Sequence, residues 1–354
     1  MKKNTGMATC LFFCISLCFA LFLFASVAAS QDKPIELKFG YSTPTNAPMY
    51  DYACVPWAKK AEEATGGKIK IVQFPSDSLF KAKDALTAIQ SGLADIAYVP
   101  MGYLPGSFPL TEVLFLPFLL RSTSAEINSQ VAQELYETTP EIQKEFSGMK
   151  LLFIYSSDPY FIATSKKPVR NMNDLKGLKI RAPGKIPMDT MKALGAVPVS
   201  IPIFETYEAG SRGVVDGGLL FNVMLPDFKL WEVFHYWTDV VLWTSILIQP
   251  MNLNRWNSLA PDIQKGLMSV SGMNGSRFWG REAYGPRMKD IGDDMIKKSG
   301  YKWERVELDK GEIEKWREIA GKPIWTAWVK EMESKGLPGQ KVLDQAVRIA
   351  DKYK

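Results

Sequence analysis

The chain has 354 residues, a formal net charge of +5, 46% hydrophobic residues and 23% charged residues. This composition is ordinary for a globular protein and excludes a disordered, collagenous or coiled-coil chain, while the length suffices for about two domains with hydrophobic cores. The single histidine argues against a His-rich zinc site or a His-paired nucleophile, whereas 10 Trp, 13 Tyr and 19 Phe favour binding over catalysis. We therefore predict no catalytic residue, no metal site and no cofactor.

The N-terminus has the features of an export signal. Lys2 and Lys3 precede an uncharged apolar run over residues 7–29, which ends in small residues over 25–30. This order predicts a cleaved signal peptide over residues 1–30 and a periplasmic location. The alternative is an uncleaved membrane anchor, since the run is long enough to span a bilayer.

Removing the leader changes the cysteine count and the charge. Cys10, Cys14 and Cys18 leave with it, and Cys54 is then the one cysteine of the mature sequence. A single thiol cannot form an internal disulfide, and no nearby His or basic cluster lowers its pKa, so Cys54 is predicted to be a buried apolar residue. The net charge falls to +3 with the loss of Lys2 and Lys3, which predicts neither nucleic-acid nor membrane-surface binding.

The first half of the mature chain alternates strand and helix patterns. An apolar and polar alternation predicts strands, and apolar residues three and four apart predict helices. Strands are predicted over 35–42, 68–72 and 94–99, with helices around Trp57–Ala64 and Ala82–Ile89 that end at Gly66 and Gly92. This order predicts a parallel, doubly wound sheet.

The same pattern restarts after residue 150 and gives way to helices after about residue 255. Strands are predicted over 151–156, 161–165, 178–181 and 197–201, and helices over 173–176, 187–194, 205–212, 256–273, 277–298, 310–334 and 341–353. The predicted fold class is α/β, with two α/β units followed by helical packing.

The sequence carries no strong enzyme motif. It has no Gly-x-Ser-x-Gly elbow, no Walker A loop and no dinucleotide-binding glycine motif. His235 lies in an aromatic-rich segment and is interpreted as a packing or surface residue. A secreted hydrolase that uses two carboxylates stays open as an alternative of another class.

Residues 173–184 give the strongest local signal. A short helix or turn ends at Gly177, a strand follows, and Arg181 stands at the carboxyl end of that strand. In α/β sheets this edge opens onto the ligand crevice, where a guanidinium can make two charge-assisted hydrogen bonds to one carboxylate. The alternative role of Arg181 is a surface or interdomain salt bridge.

The order and spacing of several motifs resemble the solute-binding proteins of tripartite ATP-independent periplasmic (TRAP) transporters. The motifs span the mature chain: Trp57-Ala58-x3-Glu62-x2-Thr65-Gly66-Gly67-Lys68, Ala88 to Asp95, Leu116-Pro117-Phe118-Leu119, Leu175 to Arg181, Leu194-Gly195-Ala196-x-Pro198-Val199 and Gly213-Val214-Val215-Asp216-Gly217. The resemblance implies a two-lobed fold of the periplasmic binding protein type II kind, with long C-terminal helices crossing between the lobes. The expected lobes are residues 31–157 with 247–286, and residues 158–246 with 287–354.

The resemblance also implies a function, partners and site residues. A protein of this kind closes over an organic acid and delivers it to a membrane permease pair driven by an ion gradient. Arg181 matches the Arg that clamps the ligand carboxylate in this family, and Phe204 matches an aromatic residue of the cleft. A monomer is expected, and a tethered sensor domain is a further alternative.

Two departures from the family pattern concern the ligand. Leu220 stands where the family carries an Asn that reaches the ligand, and Phe161 lies where sugar-acid and dicarboxylate binders often carry a second Arg. A single monocarboxylate with an aromatic or apolar body is therefore predicted, with Tyr41, Phe161, Phe204 and Phe221 as candidate ring contacts. A C4-dicarboxylate or a 2-oxo acid is the alternative within the family.

Overall fold

The computed structural model describes residues 33–353, so the predicted signal peptide, together with Cys10, Cys14 and Cys18, lies outside the described residues. The strands are β1 (Ile35–Gly40), β2 (Ile69–Phe74), β3 (Ile96–Ala97), β4 (Val99–Pro100), β5 (Met149–Pro159), β6 (Phe161–Thr164), β7 (Lys179–Arg181), β8 (Val197–Val199), β9 (Gly217–Leu220), β10 (Tyr236–Asp239), β11 (Thr244–Asn252) and β12 (Glu304–Glu307).

Helices occupy much of the remaining chain. They are α1 (Val55–Ala64), α2 (Ala85–Ser91), α3 (Ala125–Thr138), α4 (Pro140–Glu145), α5 (Met172–Leu175), α6 (Lys185–Ala193), α7 (Thr206–Ser211), α8 (Met224–Phe228), α9 (Leu253–Ser258), α10 (Pro261–Ser269), α11 (Gly272–Tyr284), α12 (Pro286–Ser299), α13 (Lys310–Ala320), α14 (Lys322–Ser334) and α15 (Gly339–Lys352). From Glu36 onward the chain forms one compact unit.

The first sheet has the order β2-β1-β3-β11-β4, and β5 pairs with β11. Strands β1 and β3 are parallel, as the sequence predicts, but β11 runs antiparallel to β3, β4 and β5. The prediction of a parallel sheet is therefore wrong for this part of the sheet. The reason is that β11 is buried along its whole length, so it lacks the alternation by which a half-buried strand is recognised.

The second sheet has the order β12-β10-β6-β9-β7-β8. Strand β7 is parallel to both β8 and β9, and Arg181 lies opposite Val199 on one side and Gly218 on the other. Strand β6 runs antiparallel to β9 and β10. Arg181 is thus held in the middle of three adjacent strands, at the carboxyl end of β7.

Two short connections carry the chain between the sheets. Strand β5 of the first sheet ends at Pro159, one residue before β6 of the second sheet, while β10 returns to β11 through residues 240–243. The two connections are joined to each other, because the Tyr160 amide donates a hydrogen bond to the Trp243 carbonyl at 3.0 Å.

The C-terminal helices are shorter than the sequence patterns predict. The predicted helix over 277–298 is divided at Gly285 and Pro286, and the one over 310–334 is divided at Gly321, just before Pro323. Proline is favoured in the first turn of a helix because it has no amide hydrogen there to lose. Each proline therefore begins a new helix where the apolar periodicity appears continuous.

The last two helices pack beside the first sheet. Trp328, Met332, Ala346 and Ile349 belong to the same hydrophobic cluster as Leu135 of α3. Helix α13 instead contacts the segment before β7, where Glu312 accepts a hydrogen bond from the Met172 amide at 2.7 Å. The lobe boundaries drawn from the sequence remain a prediction.

Two further points concern the environment of the chain. Within residues 33–353, no helix is both long enough and apolar enough to cross a membrane. Cys54 is a free, fully buried thiol, and burial raises its pKa, in agreement with the prediction of a buried apolar residue.

Candidate functional site

A cavity of about 300 Å³ lies at the carboxyl ends of the parallel strands of both sheets. Its wall is formed by Ser42, Thr43, Pro44, Met49, Ser76, Asp77, Ala82, Tyr98, Pro100, Gly102, Tyr103, Phe115, Tyr160, Arg181, Pro183, Pro187, Ile203, Phe204, Phe221, Val223, Met224, Asp227, Phe228, Trp243, Ser245 and Leu247. Most of these side chains are apolar or aromatic, which is typical of a small-molecule site with few polar anchors.

Arg181 is the buried cation of this wall. It is 1% exposed, and its Nε and Nη1 donate hydrogen bonds to the carbonyls of Ile201 and Leu219 at 3.0 and 3.1 Å. These carbonyls fix the plane of the guanidinium but use two of its five N–H donors. No carboxylate of the described residues lies within ion-pair distance of Arg181, so the predicted alternative of a salt bridge is not observed.

The cavity is also lined by Tyr160 and Trp243, which lie in the connections between the sheets, and by Ser245 of β11. Burial raises the pKa of Tyr160 to about 12, although nearby Arg181 and a hydrogen bond with Ser245 lower it. The phenol is therefore protonated at neutral pH and can donate beside the guanidinium. The Trp243 Nε1 is also buried without a hydrogen-bond partner.

Three of the six predicted site residues line the cavity. Arg181 and Phe221 are buried in its wall, and Phe204 stands at its rim with 53% of its surface exposed. The Phe221 ring packs edge-on against Tyr160 and Tyr284, with ring centroids 5.2 and 5.5 Å apart. These contacts give the cavity a rigid aromatic side.

The structure does not bring Tyr41, Phe161 or Leu220 to the cavity. The Tyr41 hydroxyl donates to Gln73 at 2.5 Å, and the Phe161 ring lies under the Arg305 guanidinium at 5.5 Å. Leu220 is still within strand β9 and is completely buried. The chain leaves the strand at Phe221, so that residue, and not Leu220, reaches the cavity.

Several cavity residues were not predicted. Ser42 and Thr43 follow β1, and the general rule for the carboxyl ends of parallel strands points to them. Asp227 lies in α8, as an acidic residue within the largely apolar segment over 217–231. An isolated acid in such a segment is the sequence signal that could have identified it.

The two acidic side chains of the wall differ in their surroundings. Asp77 accepts a hydrogen bond from the Ser42 hydroxyl at 2.6 Å. Asp227 has an oxygen, Oδ1, that is buried without a hydrogen-bond partner, and burial raises its pKa to about 8. At neutral pH the Asp227 carboxyl is therefore mostly protonated in the unliganded protein.

Contacts across the cavity mouth join segments that belong to different sheets. The Ile203 amide donates to the Tyr103 hydroxyl at 3.2 Å, and a Cβ on Gly184 would lie 3.6 Å from the Gly102 carbonyl oxygen. The mouth is thus narrow at this point. In residues 33–353, no group of three or more His, Cys, Asp or Glu side chains is arranged to hold a metal ion.

Comparison with known proteins gives relatives of similar length. TsaT of Comamonas testosteroni, named an outer membrane transporter protein, is 28% identical over 336 residues, which cover 93% of this chain and 95% of TsaT. The model of bacterial extracellular solute-binding protein family 7 (DctP) matches residues 39–332.

Two solved TRAP solute-binding proteins have the same fold and were crystallised with aromatic acids. One from Rhodoferax ferrireducens, with copurified benzoate, is 26% identical with a TM-score of 0.83, covering 90% of this chain and 98% of its own. One from a marine metagenome, with 3-hydroxybenzoate, is 26% identical with a TM-score of 0.84, covering 91% and 100%. The two-lobed α/β fold and the family resemblance predicted from the sequence are confirmed, and the chain belongs to the family 7 extracellular solute-binding proteins that serve TRAP transporters.

Proposed function

We propose that this protein captures a monocarboxylate with an aromatic or apolar body in the cavity and delivers it to a TRAP-type secondary transporter. The observation that carries the proposal is Arg181, a buried guanidinium oriented by two backbone carbonyls and without a carboxylate partner. An unpaired buried charge is costly, and a ligand carboxylate supplies the missing partner with two charge-assisted hydrogen bonds.

The charges of the wall favour one carboxylate over two. Arg181 is the only Lys or Arg among the described lining residues, whereas the acids Asp77 and Asp227 are both present. A second carboxylate would be desolvated without a cation to pair with. A C4-dicarboxylate is therefore the less favoured ligand.

The remaining wall favours a ring. Phe221, Tyr98 and Trp243 contribute rigid aromatic surface, and Val223 and Met224 contribute aliphatic surface. A volume of about 300 Å³ is at the small end of the range of about 300–1,000 Å³ for ligand pockets. The benzoate and 3-hydroxybenzoate bound by the related structures are acids of this size and kind.

The setting of the chain agrees with this role. The predicted signal peptide over residues 1–30 would export it to the periplasm, where the ligand-loaded monomer would meet the permease subunits. The contact between Tyr103 and Ile203 across the mouth would form when the two sides close, so that ligand binding shifts the population of open and closed states.

The test is a calorimetric titration of the purified mature protein. The panel comprises benzoate, phenylacetate, indole-3-acetate, a branched-chain 2-oxo acid, succinate and sialic acid. We expect saturable binding of at least one aromatic acid, at least tenfold tighter than succinate or sialic acid, with the acid recovered unchanged. Binding of succinate or the 2-oxo acid alone would contradict the proposal, and turnover of a ligand would favour the hydrolase alternative.

A further inference from the structure

Asp227 occupies an apolar part of the cavity wall. It lies in helix α8, between Met224 and Phe228, and both of these neighbours also line the cavity. Asp227 is partly exposed and is one of the residues that line the cavity. A bound molecule can therefore contact this residue.

Two buried acids elsewhere in the protein, Asp95 and Asp158, accept hydrogen bonds. Asp95 accepts from the Lys38 amide at 2.7 Å, and Asp158 accepts from both the amide and the side chain of Asn222. Asp227 makes no side-chain hydrogen bond or ion pair within the described residues, and its Oδ1 is buried. Because buried polar groups are nearly always paired, an unpaired carboxyl at a cavity requires an explanation.

The neutral form of this carboxyl determines which partner suits it. Burial alone raises the pKa of Asp227 to about 8, with no cation lowering it. A protonated carboxyl has one O–H donor and a carbonyl acceptor. A ligand hydroxyl also donates and accepts, and it enters an apolar cavity at far lower desolvation cost than an ammonium.

We propose that Asp227 is a specificity-determining residue that binds a hydroxyl group on the body of the acid whose carboxylate pairs with Arg181. The preferred ligand is then a hydroxylated aromatic monocarboxylate and not its unsubstituted parent. A site built to bond a hydroxyl discriminates against the analogue without it, because the buried polar group is then left unpaired. This inference rests on the proposed function.

The test measures dissociation constants by calorimetry for matched pairs of acids. Benzoate is compared with its 2-, 3- and 4-hydroxy derivatives, and phenylacetate with the corresponding hydroxyphenylacetates. The proteins are the unaltered chain, Asp227→Leu, Asp227→Asn and the exposed control Asp189→Asn. We expect at least one hydroxy acid to bind at least tenfold tighter than its parent in the unaltered and Asp189→Asn proteins.

The variants separate the role of Asp227 from the rest of the site. In Asp227→Leu the preference should fall to less than threefold while the parent acid binds at least as tightly as before, and Asp227→Asn should retain part of the preference. A preference that survives in Asp227→Leu, or its absence from the unaltered protein, overturns the role of Asp227. The proposed function fails separately, if Arg181→Ala binds these acids with unchanged affinity.

Discussion

Gly218 lies directly opposite Arg181 in the neighbouring parallel strand, and a Cβ on Gly218 would be 3.4 Å from the Arg181 Cβ. An added Cβ at Gly218 would therefore only touch the stem of the arginine at van der Waals distance. Gly217 is confined in another way, because a Cβ there would lie 2.2 Å from the Ala163 carbonyl oxygen.

This difference predicts distinct outcomes for two neighbouring glycines. Gly218→Ala should leave the melting temperature within about 3 °C of the unaltered value, since its Cβ makes an ordinary contact. Gly217→Ala should destabilise the protein by about 1–3 kcal/mol or more, because strands β6 and β9 must separate. Thermal melts of both variants check this, and equal losses would contradict it.

Arg181 is expected to account for most of the carboxylate affinity. Arg181→Ala should weaken binding of the best aromatic acid at least 100-fold, since truncating one partner of a buried charge pair costs about 2–5 kcal/mol. Arg181→Lys keeps the charge but not the planar fork and should weaken binding by at least tenfold. The control is Arg170→Ala, which removes an exposed arginine that pairs with Glu304 and should leave the dissociation constant unchanged.

Two phenylalanines of the cavity should separate affinity from stability. Phe204 stands exposed at the rim, so Phe204→Ala should lower the affinity for an aromatic acid by about 2–10-fold with little change in unfolding. Phe221 is buried against Tyr160 and Tyr284, so Phe221→Ala should also lower the free energy of unfolding by about 3–5 kcal/mol. Urea denaturation and calorimetry measure the two quantities, and a large stability loss in Phe204→Ala would contradict the assignment.

The unliganded protein should lose stability as the pH rises through neutrality. Burial raises the folded-state pKa of Asp158 to about 7 and of Asp227 to about 8, above about 3.9 for Asp in an unfolded chain. Between about pH 4 and pH 8 the folded state therefore binds more protons, and the free energy of unfolding falls as the pH rises.

Removing one of these acids should flatten that dependence. Asp227→Asn should melt at a higher temperature than the unaltered protein at pH 8.5 and at nearly the same temperature at pH 5.5. Scanning fluorimetry at pH 5.5, 7.0 and 8.5 measures the slope, with Asp189→Asn as the surface control. Parallel slopes in all three proteins would show that Asp227 is already ionised or already satisfied.

The sequence predicts the local elements better than their assembly. The strand that ends at Arg181 and the helix that ends at Gly92 follow from local patterns. The end of a strand depends on nearby residues, and so does the positive φ of 75° at Gly92. Strand β11 was missed because it is buried on both faces, and β9 because it begins with two glycines. No local pattern distinguishes such segments from loops or buried helices.

The candidate site was predicted in part for a related reason. Arg181 and Phe221 reach the cavity because one ends a strand and the other directly follows one. Alignment with the family predicts Leu220 at the site, but the side-chain direction reverses at each position along a strand. Ser42, Tyr98 and Asp227 come from distant parts of the chain, and only the pairing of strands and helices brings them together.

Tyr160 and Trp243 lie in the two short connections between the sheets, and their backbones are hydrogen-bonded to each other. Both also line the cavity. An acid packed against these two rings would touch both short connections between the sheets. Ligand binding would then restrain the two connections together, and with them the position of one sheet relative to the other.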